Sequence, residues 1–476
     1  PVECGDLLRR ARVAFEAGRS LKEGFRLAQL QALVQLLDEH EGDFVDALGR
    51  DLHKVPANLC TETPPPLTEQ RFACLTSPSL VSLLQSTTMD ECLVVREPLG
   101  VVFIIGTWCS PVQMCLVPLV GAIAAGNCAV ISPSENTVHT AELLHRLVPF
   151  YLDNASISEV TVARLKGQTM YFNIKLFGVN MAAASTLTPV TLILGSKNPC
   201  YVDQHCDVAT AAQRIAWARF HNAGQSLVAP DYVLCHTDVK AELVQALKSC
   251  LTQFYGSDPQ ESRSFGRMVN QEVLNRMRDI LWRCGKVAVG GQVVEAEKYI
   301  APTILTEVVE SDPIMQQEVF GPVLPIMTVN NINEAIAFIN KQAKALCVYA
   351  YSSDSKVHIR AQLMSETSSG SFCSNDSVLQ SVMVALPFGG VGASGMGSCH
   401  GRYSFDTFSH MKSCLLRGTR FECVTYLRYP PYDDRNLSLM MWASTLSQKT
   451  KSDLRSALRQ TARAKCKAAL LFPPDC

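Results

Sequence analysis

The sequence predicts an α/β fold with parallel sheets, and three observations carry that expectation. The first fifty residues are strongly helical, positions 92–134 read as strand, helix and strand, and the composition is that of a chain with a large core. A chain of 476 residues, 47% hydrophobic and 18% charged, is long enough for about three domain-sized units. Its formal net charge of −1 gives no electrostatic footprint for nucleic acid, whose binding requires many phosphates to be neutralised, so no nucleic-acid partner is expected. The 19 cysteines include no C-x-x-C pair. They read as reduced thiols of a cytoplasmic protein, with no structural zinc or other metal site.

In chain order, Leu7, Leu8, Val13 and Phe15 open the helical region, and Phe25, Leu27, Leu30, Leu33 and Leu37 recur at helical spacing. Two or three amphipathic helices are expected there. The opening PVECGDLLRRARVAFEAG has neither the basic start nor the apolar run of a secretory signal. Pro64, Pro65 and Pro66 then break the pattern, because each proline lacks an amide hydrogen and clashes with a preceding turn, so this stretch is read as a loop. CLVVREPLGVVFIIGTW holds two strand-like runs around Pro98 and Gly100. The apolar run Met114 to Ile131 approaches the length of a membrane span, but Pro118, Gly126 and Asn127 interrupt it. A buried helix, a Gly-Asn stop and a buried strand describe it better. Strand, helix and strand in succession mark a parallel sheet.

Further on, a set of motifs occurs in one order: EPLGVVFIIGTW, LVPLVGAIAAGNCAVISPSE, LTPVTLILG, NPCYVD, AGQSLVAPDY, KYIAPTIL, QQEVFGPVLPI and LPFGGVGASGMG followed by HGRYSFDTFSH. Together these resemble the aldehyde dehydrogenase superfamily, class 3 and most of all its 3B branch, from about residue 5 to about residue 430. The resemblance implies a Rossmann-like NAD(P)-binding domain (residues 1–82 and 97–190), an α/β catalytic domain (191–397) and a small oligomerisation arm (83–96 and 398–430), leaving 431–476 as a tail. It also implies oxidation of aldehydes, often fatty ones, to carboxylic acids.

That chemistry needs a thiolate to attack the aldehyde, a donor for the oxyanion, a nicotinamide to take hydride and a base to activate water. By the resemblance the family's G-Q-x-C cysteine corresponds to Leu227, its E-L-G-G glutamate to Ile193, and its T-W-N-Y-P asparagine to Cys109, with Trp108 beside it, like Glu135 further on, a cofactor-binding position. Leucine has no lone pair, isoleucine accepts no proton, and a thiol is a poor donor. The ribose-binding K-P-S-E motif stands as Ser132, Pro133, Ser134 and Glu135, without its lysine. The T-G-S-x-x-V-G-K loop is replaced by MYFNIKLFGVNMAAAS, which removes the expected phosphate cradle. Glu318 and Phe320 in QEVFGP remain as nicotinamide-side contacts, although without the resemblance Glu318 reads as a surface carboxylate. Gly390, Gly392 and Gly395 formally match G-x-G-x-x-G, but no amphipathic helix opens after them, and they read as a turn-rich loop.

The resulting expectation is an inactive pseudoenzyme on this fold. The alternative is a working NAD(P)-dependent aldehyde dehydrogenase whose site residues lie elsewhere. Cofactor binding, NAD or NADP by resemblance, is expected to be very weak, and an aldehyde substrate is doubtful. A homodimer, or a heterodimer with a related subunit, is the expected assembly. The chain ends LLFPPDC with no C-a-a-X box, so prenylation is not expected. Arg455, Arg459, Arg463 and Lys467 form a basic row in the tail, compatible with weak peripheral contact at an anionic membrane surface or with a solvated helix.

Overall fold

The computed structural model describes residues 4–54, 79–80, 91–159, 172–353 and 357–416, with 429–430, 434, 437–439 and 441 near the far end. The triple-proline loop and the basic tail lie outside the described residues, as do positions 160–171. Two compact units divide the chain: Pro1–Thr76 with Pro98–His410, and Ser77–Glu97 with Met411–Cys476.

The helical start forms three helices, Cys4–Glu16, Glu23–Glu39 and Glu41–Leu52. Leu30, Leu33, Leu36 and Leu37 fall on one buried face at helical spacing, and with Phe44 and Leu48 they share a core with the helix Pro111–Ala125. The apolar run 114–131 divides as expected. Pro111 begins its helix, where a missing N–H is tolerated, and Gly126 ends it at φ 91°, a conformation that a Cβ disfavours. The strand Cys128–Ser132 follows, buried along its whole length. Asn127 does more than stop the helix. Its side chain accepts the Gly100 N–H at 2.9 Å and donates to the Phe408 carbonyl at 2.9 Å, tying three distant segments together. Among the described residues, no helix is long and apolar enough to cross a membrane.

Cys128–Ser132 is the middle strand of a three-stranded parallel sheet between Val101–Ile105 and Ile157–Glu159. A second sheet has seven strands in the order Ser369–Ser374, Ala345–Tyr351, Pro199–Val202, Tyr232–His236, Val323–Val329, Thr303–Thr306 and Lys286–Val289. All its pairings are parallel except the last. Its inner strands are buried without alternation, Ala345–Tyr351 and Tyr232–His236 at every position. Parallel sheets covered on both faces show this pattern, and it explains why these strands read as continuous apolar runs.

The helix Gly401–Thr407 packs on Pro111–Ala125, so closely that a Cβ at Gly121 would lie 2.5 Å from that of Ser404. Positions 398–410, expected in the arm, therefore fall inside the first unit, which reaches His410. The second unit holds, apart from Pro98, Ser409 and His410, a three-stranded sheet of Ser79–Leu80, Glu91–Pro98 and Ser409–Leu416.

Asp51 accepts from the backbone N–H groups of His139 (3.1 Å) and Thr140 (2.8 Å) and from the Thr140 hydroxyl (2.8 Å), capping the helix Val138–Tyr151 from outside. Replacing Asp51 by alanine leaves those donors unpaired and is expected to lower the unfolding free energy by about 2 kcal/mol. Urea denaturation with an unchanged m-value measures this, and a loss below about 0.5 kcal/mol would refute the cap.

Candidate active site

Topology decides where the site lies. Pro199–Val202, Tyr232–His236 and Val323–Val329 are parallel neighbours, so the segments that lead into them, 194–198, 222–231 and 317–321, meet at one end of the sheet. From the smaller sheet come Trp108 and Cys109, just past the carboxyl end of Val101–Ile105. Trp108 meets Phe320 edge-on with ring centroids 5.1 Å apart. The Cys109 carbonyl accepts from Lys54 Nζ at 2.8 Å and from Asn222 Nδ2 at 3.2 Å.

The loop that carries Leu227 has an unusual backbone. Asn222 and Ala223 both have φ near 51°, and Gly224 follows at 72°. Left-handed conformations at two non-glycine residues persist only where the surroundings over-determine them. Here the Asn222 side chain donates to the Gln225 carbonyl at 2.9 Å, and Gln225 Nε2 returns a bond to the Asn222 carbonyl at 3.1 Å. Gly224 is required by close approach as well, since a Cβ there would sit 2.1 Å from the Gly321 carbonyl oxygen. The next carbonyls are held in turn. Asn198 Nδ2 donates to Leu227 O at 2.8 Å and to Ala229 O at 3.1 Å, while the Tyr349 hydroxyl donates to Val228 O at 2.5 Å.

On this rigid frame the side chains are apolar. Leu227 is 5% exposed and belongs to the main core, with Ile193 packed against the same core. Burying the Leu227 isobutyl group contributes roughly 2 kcal/mol of hydrophobic stabilisation. Ile193 pairs antiparallel with Gly395, whose missing Cβ would otherwise lie 2.0 Å from Leu192 O. That contact accounts for one glycine of GGVGASG: it lets two strands approach. Cys109 is buried, with its Sγ 3.2 Å from Thr107 Oγ1. Ser132 is buried at its strand end, where its carbonyl accepts the Gly106 N–H at 2.9 Å, and Glu135 is exposed. Among the described residues, no group of three or more His, Cys, Asp or Glu could hold a metal ion.

Charges supply the remaining order. Asp231, 3% exposed, accepts from Lys197 Nζ at 2.6 Å, from Arg219 Nη1 at 3.4 Å and from the Val319 N–H at 2.9 Å. Lys197 also donates to the carbonyls of Ile314 and Gln317, and Arg219 to that of Gly321. Arg276 donates to the carbonyls of Glu318 and Val319. The segment 317–321 is therefore gripped along its backbone by three cations. His221, beside the loop, is pushed down to about 4 by burial and then by the charge of Lys54, so its ring is neutral at pH 7.

The sequence reading singled out Leu227, Ile193, Cys109, Trp108, Glu318 and Phe320, and the fold gathers these at one end of the sheet. It passed over Lys197, Asn198, Arg219, Asn222, Arg276 and Tyr349. The available signal was polar or charged residues inside apolar motifs, as in GSKNP and FHNAGQS. Asp231→Asn, which leaves two buried cations short of their counter-charge, is expected to cost about 3 kcal/mol of stability. Calorimetry or denaturation checks this, and a change within about 0.5 kcal/mol would contradict the role of the carboxylate.

Comparison with known proteins shows what this chain is similar to. The sequence profile of the aldehyde dehydrogenase family matches residues 2–151 and 178–414. Aldehyde dehydrogenase family 3 member B1 of Homo sapiens is 45% identical over 456 residues, covering 92% of this chain and 97% of that protein. Family 3 member A2 of Mus musculus is 44% identical over 451 residues, covering 91% and 92%. The substrate-bound structure of AldH from Staphylococcus aureus superposes with a TM-score of 0.85 at 33% identity, covering 93% of this chain and 100% of that one. With the family profile covering most of its length and relatives at 45% identity, the chain belongs to the aldehyde dehydrogenase family.

Proposed function

We propose that this chain is a catalytically silent member of its family, a pseudoenzyme that keeps the framework of the nucleophile loop without a nucleophile. The observation that carries this reading is Leu227, buried in the core at the position that the G-Q-S-L turn holds so firmly. The family reaction, NAD(P)-dependent oxidation of aldehydes, begins with thiolate attack. A hydrocarbon branch forms no such bond. Ile193 cannot take a proton from water, and the Cys109 thiol next to Thr107 is a poor replacement for an amide donor.

The residues present do not fit a dinucleotide along its whole length. Glu318 and Phe320 remain on the nicotinamide side, and the NAD+ complex of a Bacillus cereus aldehyde dehydrogenase shares the fold at a TM-score of 0.75. On the adenosine side, SPSENT offers no cation and the Ser132 side chain is buried. NAD and NADP are therefore expected to bind weakly or not at all.

A role in assembly is the selected function that such a chain retains, as a homodimer or as the partner of a related, active subunit. Ser409–Leu416 supports it: this strand lies at the edge of its sheet with Met411, Leu415 and Leu416 more than half exposed. The described cysteines are all free thiols, as suits a cytoplasmic protein. The basic row at 455–467 suits weak adhesion to an anionic membrane surface.

Loss of a nucleophile costs about a million-fold in turnover, so the full chain is expected to form no NADH from any aldehyde above background. Leu227→Cys is expected to give a thiol that an alkylating reagent or an activated ester modifies, still without turnover. Steady NADH production by the unmodified chain would overturn the reading. Turnover by Leu227→Cys alone would show that Ile193, Cys109 and the cofactor side matter less than argued.

A further inference from the structure

We propose that Glu318 is a proton-controlled latch: uncharged, its carboxyl group sits on the backbone at Gly195, and when it loses its proton to solvent it leaves that seat. The idea does not depend on whether the chain turns over aldehydes.

The seat is visible in the geometry. A Cβ built on Gly195 would lie 2.0 Å from Glu318 Oε2 and 2.6 Å from both Cδ and Oε1, so the carboxyl group occupies the space of an absent side chain. The Ser196 backbone N–H is near enough to favour its charged form. Four charged groups on separate segments face it: Lys197, Arg219, Asp231 and Arg276. The hydrogen bonds given for these cations go to other groups, and Arg219 Nε has no partner among the described residues. Lys197 gives its three N–H bonds to Asp231, Ile314 O and Gln317 O. Arg219 serves Asp231, Pro230 O and Gly321 O, and Arg276 holds the carbonyls of Glu318 and Val319.

An ionised Glu318 in this seat would be a buried charge beside a second carboxylate. Burial first, and Asp231 second, push the Glu318 carboxyl up to about 8, against the opposing pull of the Ser196 N–H, Arg276 and Lys197. A charge that is costly where it forms moves to water if a path exists. The backbone cannot follow, because three cations hold it, so the side chain alone moves. Glu318 is only half-buried as a residue, which leaves it that path. The adjacent Val319–Phe320 segment carries the ring that packs on Trp108, so the environment of Trp108 should register the change.

The test uses the full chain. Infrared difference spectra are expected to show a protonated-carboxyl band at pH 6.5 that disappears with a midpoint near 8 and is missing from Glu318→Gln. Gly195→Ala places a methyl group in the seat, displacing only the end of a flexible side chain, and is expected to lower that midpoint by at least one pH unit. Tryptophan fluorescence should step with the same midpoint in the parent and not in Glu318→Gln. Amide exchange at Ser196, corrected for intrinsic base catalysis, is expected to accelerate above pH 8 in the parent alone, a readout that stands if Gly195→Ala fails to fold. No protonated band at pH 6.5, a fluorescence step that survives in Glu318→Gln, a midpoint unmoved by Gly195→Ala, or Ser196 exchange that ignores the titration would each overturn the latch.

Discussion

The buried carboxylate of Asp231 is the constraint on which the rest of the site depends. Its partners come from three segments, Lys197 in the segment 194–198, Arg219 at the end of the helix Val208–Phe220, and the Val319 N–H in the segment 317–321. Those cations then bind backbone carbonyls of the same segments. A lone charge would be costly at such burial, and a pair often no more than breaks even. What the cluster supplies is position. It fixes three loops against one another at the entry to neighbouring strands, whatever side chains the loops carry toward the site.

The framework is therefore separate from the side chains that the loops present. Asn198 and Tyr349 hold the carbonyls of 227–229 through their own side chains, and none of these bonds involves the Leu227 or Ile193 side chain. Replacing a reactive polar group by an apolar one at a buried position removes a desolvation cost and adds hydrophobic burial. Catalytic sites are commonly held at some expense of stability, and on the proposed reading Leu227 and Ile193 are free of that expense.

The fold was legible where local chemistry and tertiary context agree. The Gly126-Asn127 stop, the helical leucine spacing of the first fifty residues and the buried strand Cys128–Ser132 all read correctly because each records a backbone or burial requirement directly. Site positions were proposed through their motif neighbours, GQS and VAPDY for Leu227 and GTW for Cys109. What sequence could not supply was the wiring. Asn222 and Ala223 adopt left-handed conformations that no residue type announces, and Lys197, Arg219 and Arg276 converge on 317–321 from sequence separations that no spacing rule reaches. Glu318 shows the same limit. Its residue type suggested a solvated surface or a cofactor contact, whereas its carboxyl group lies against Gly195, an arrangement that depends on the absence of a Cβ more than a hundred residues away.

Family membership and retained framework leave one question central, whether any covalent chemistry survives. The most direct measurement is the intact mass of the full-length chain after exposure to a medium-chain aldehyde together with NAD, quenched within a single turnover time. With no thiolate at position 227 and none substituted for it, the account predicts an unchanged mass. An acyl adduct on any cysteine that forms only when NAD is present would contradict it.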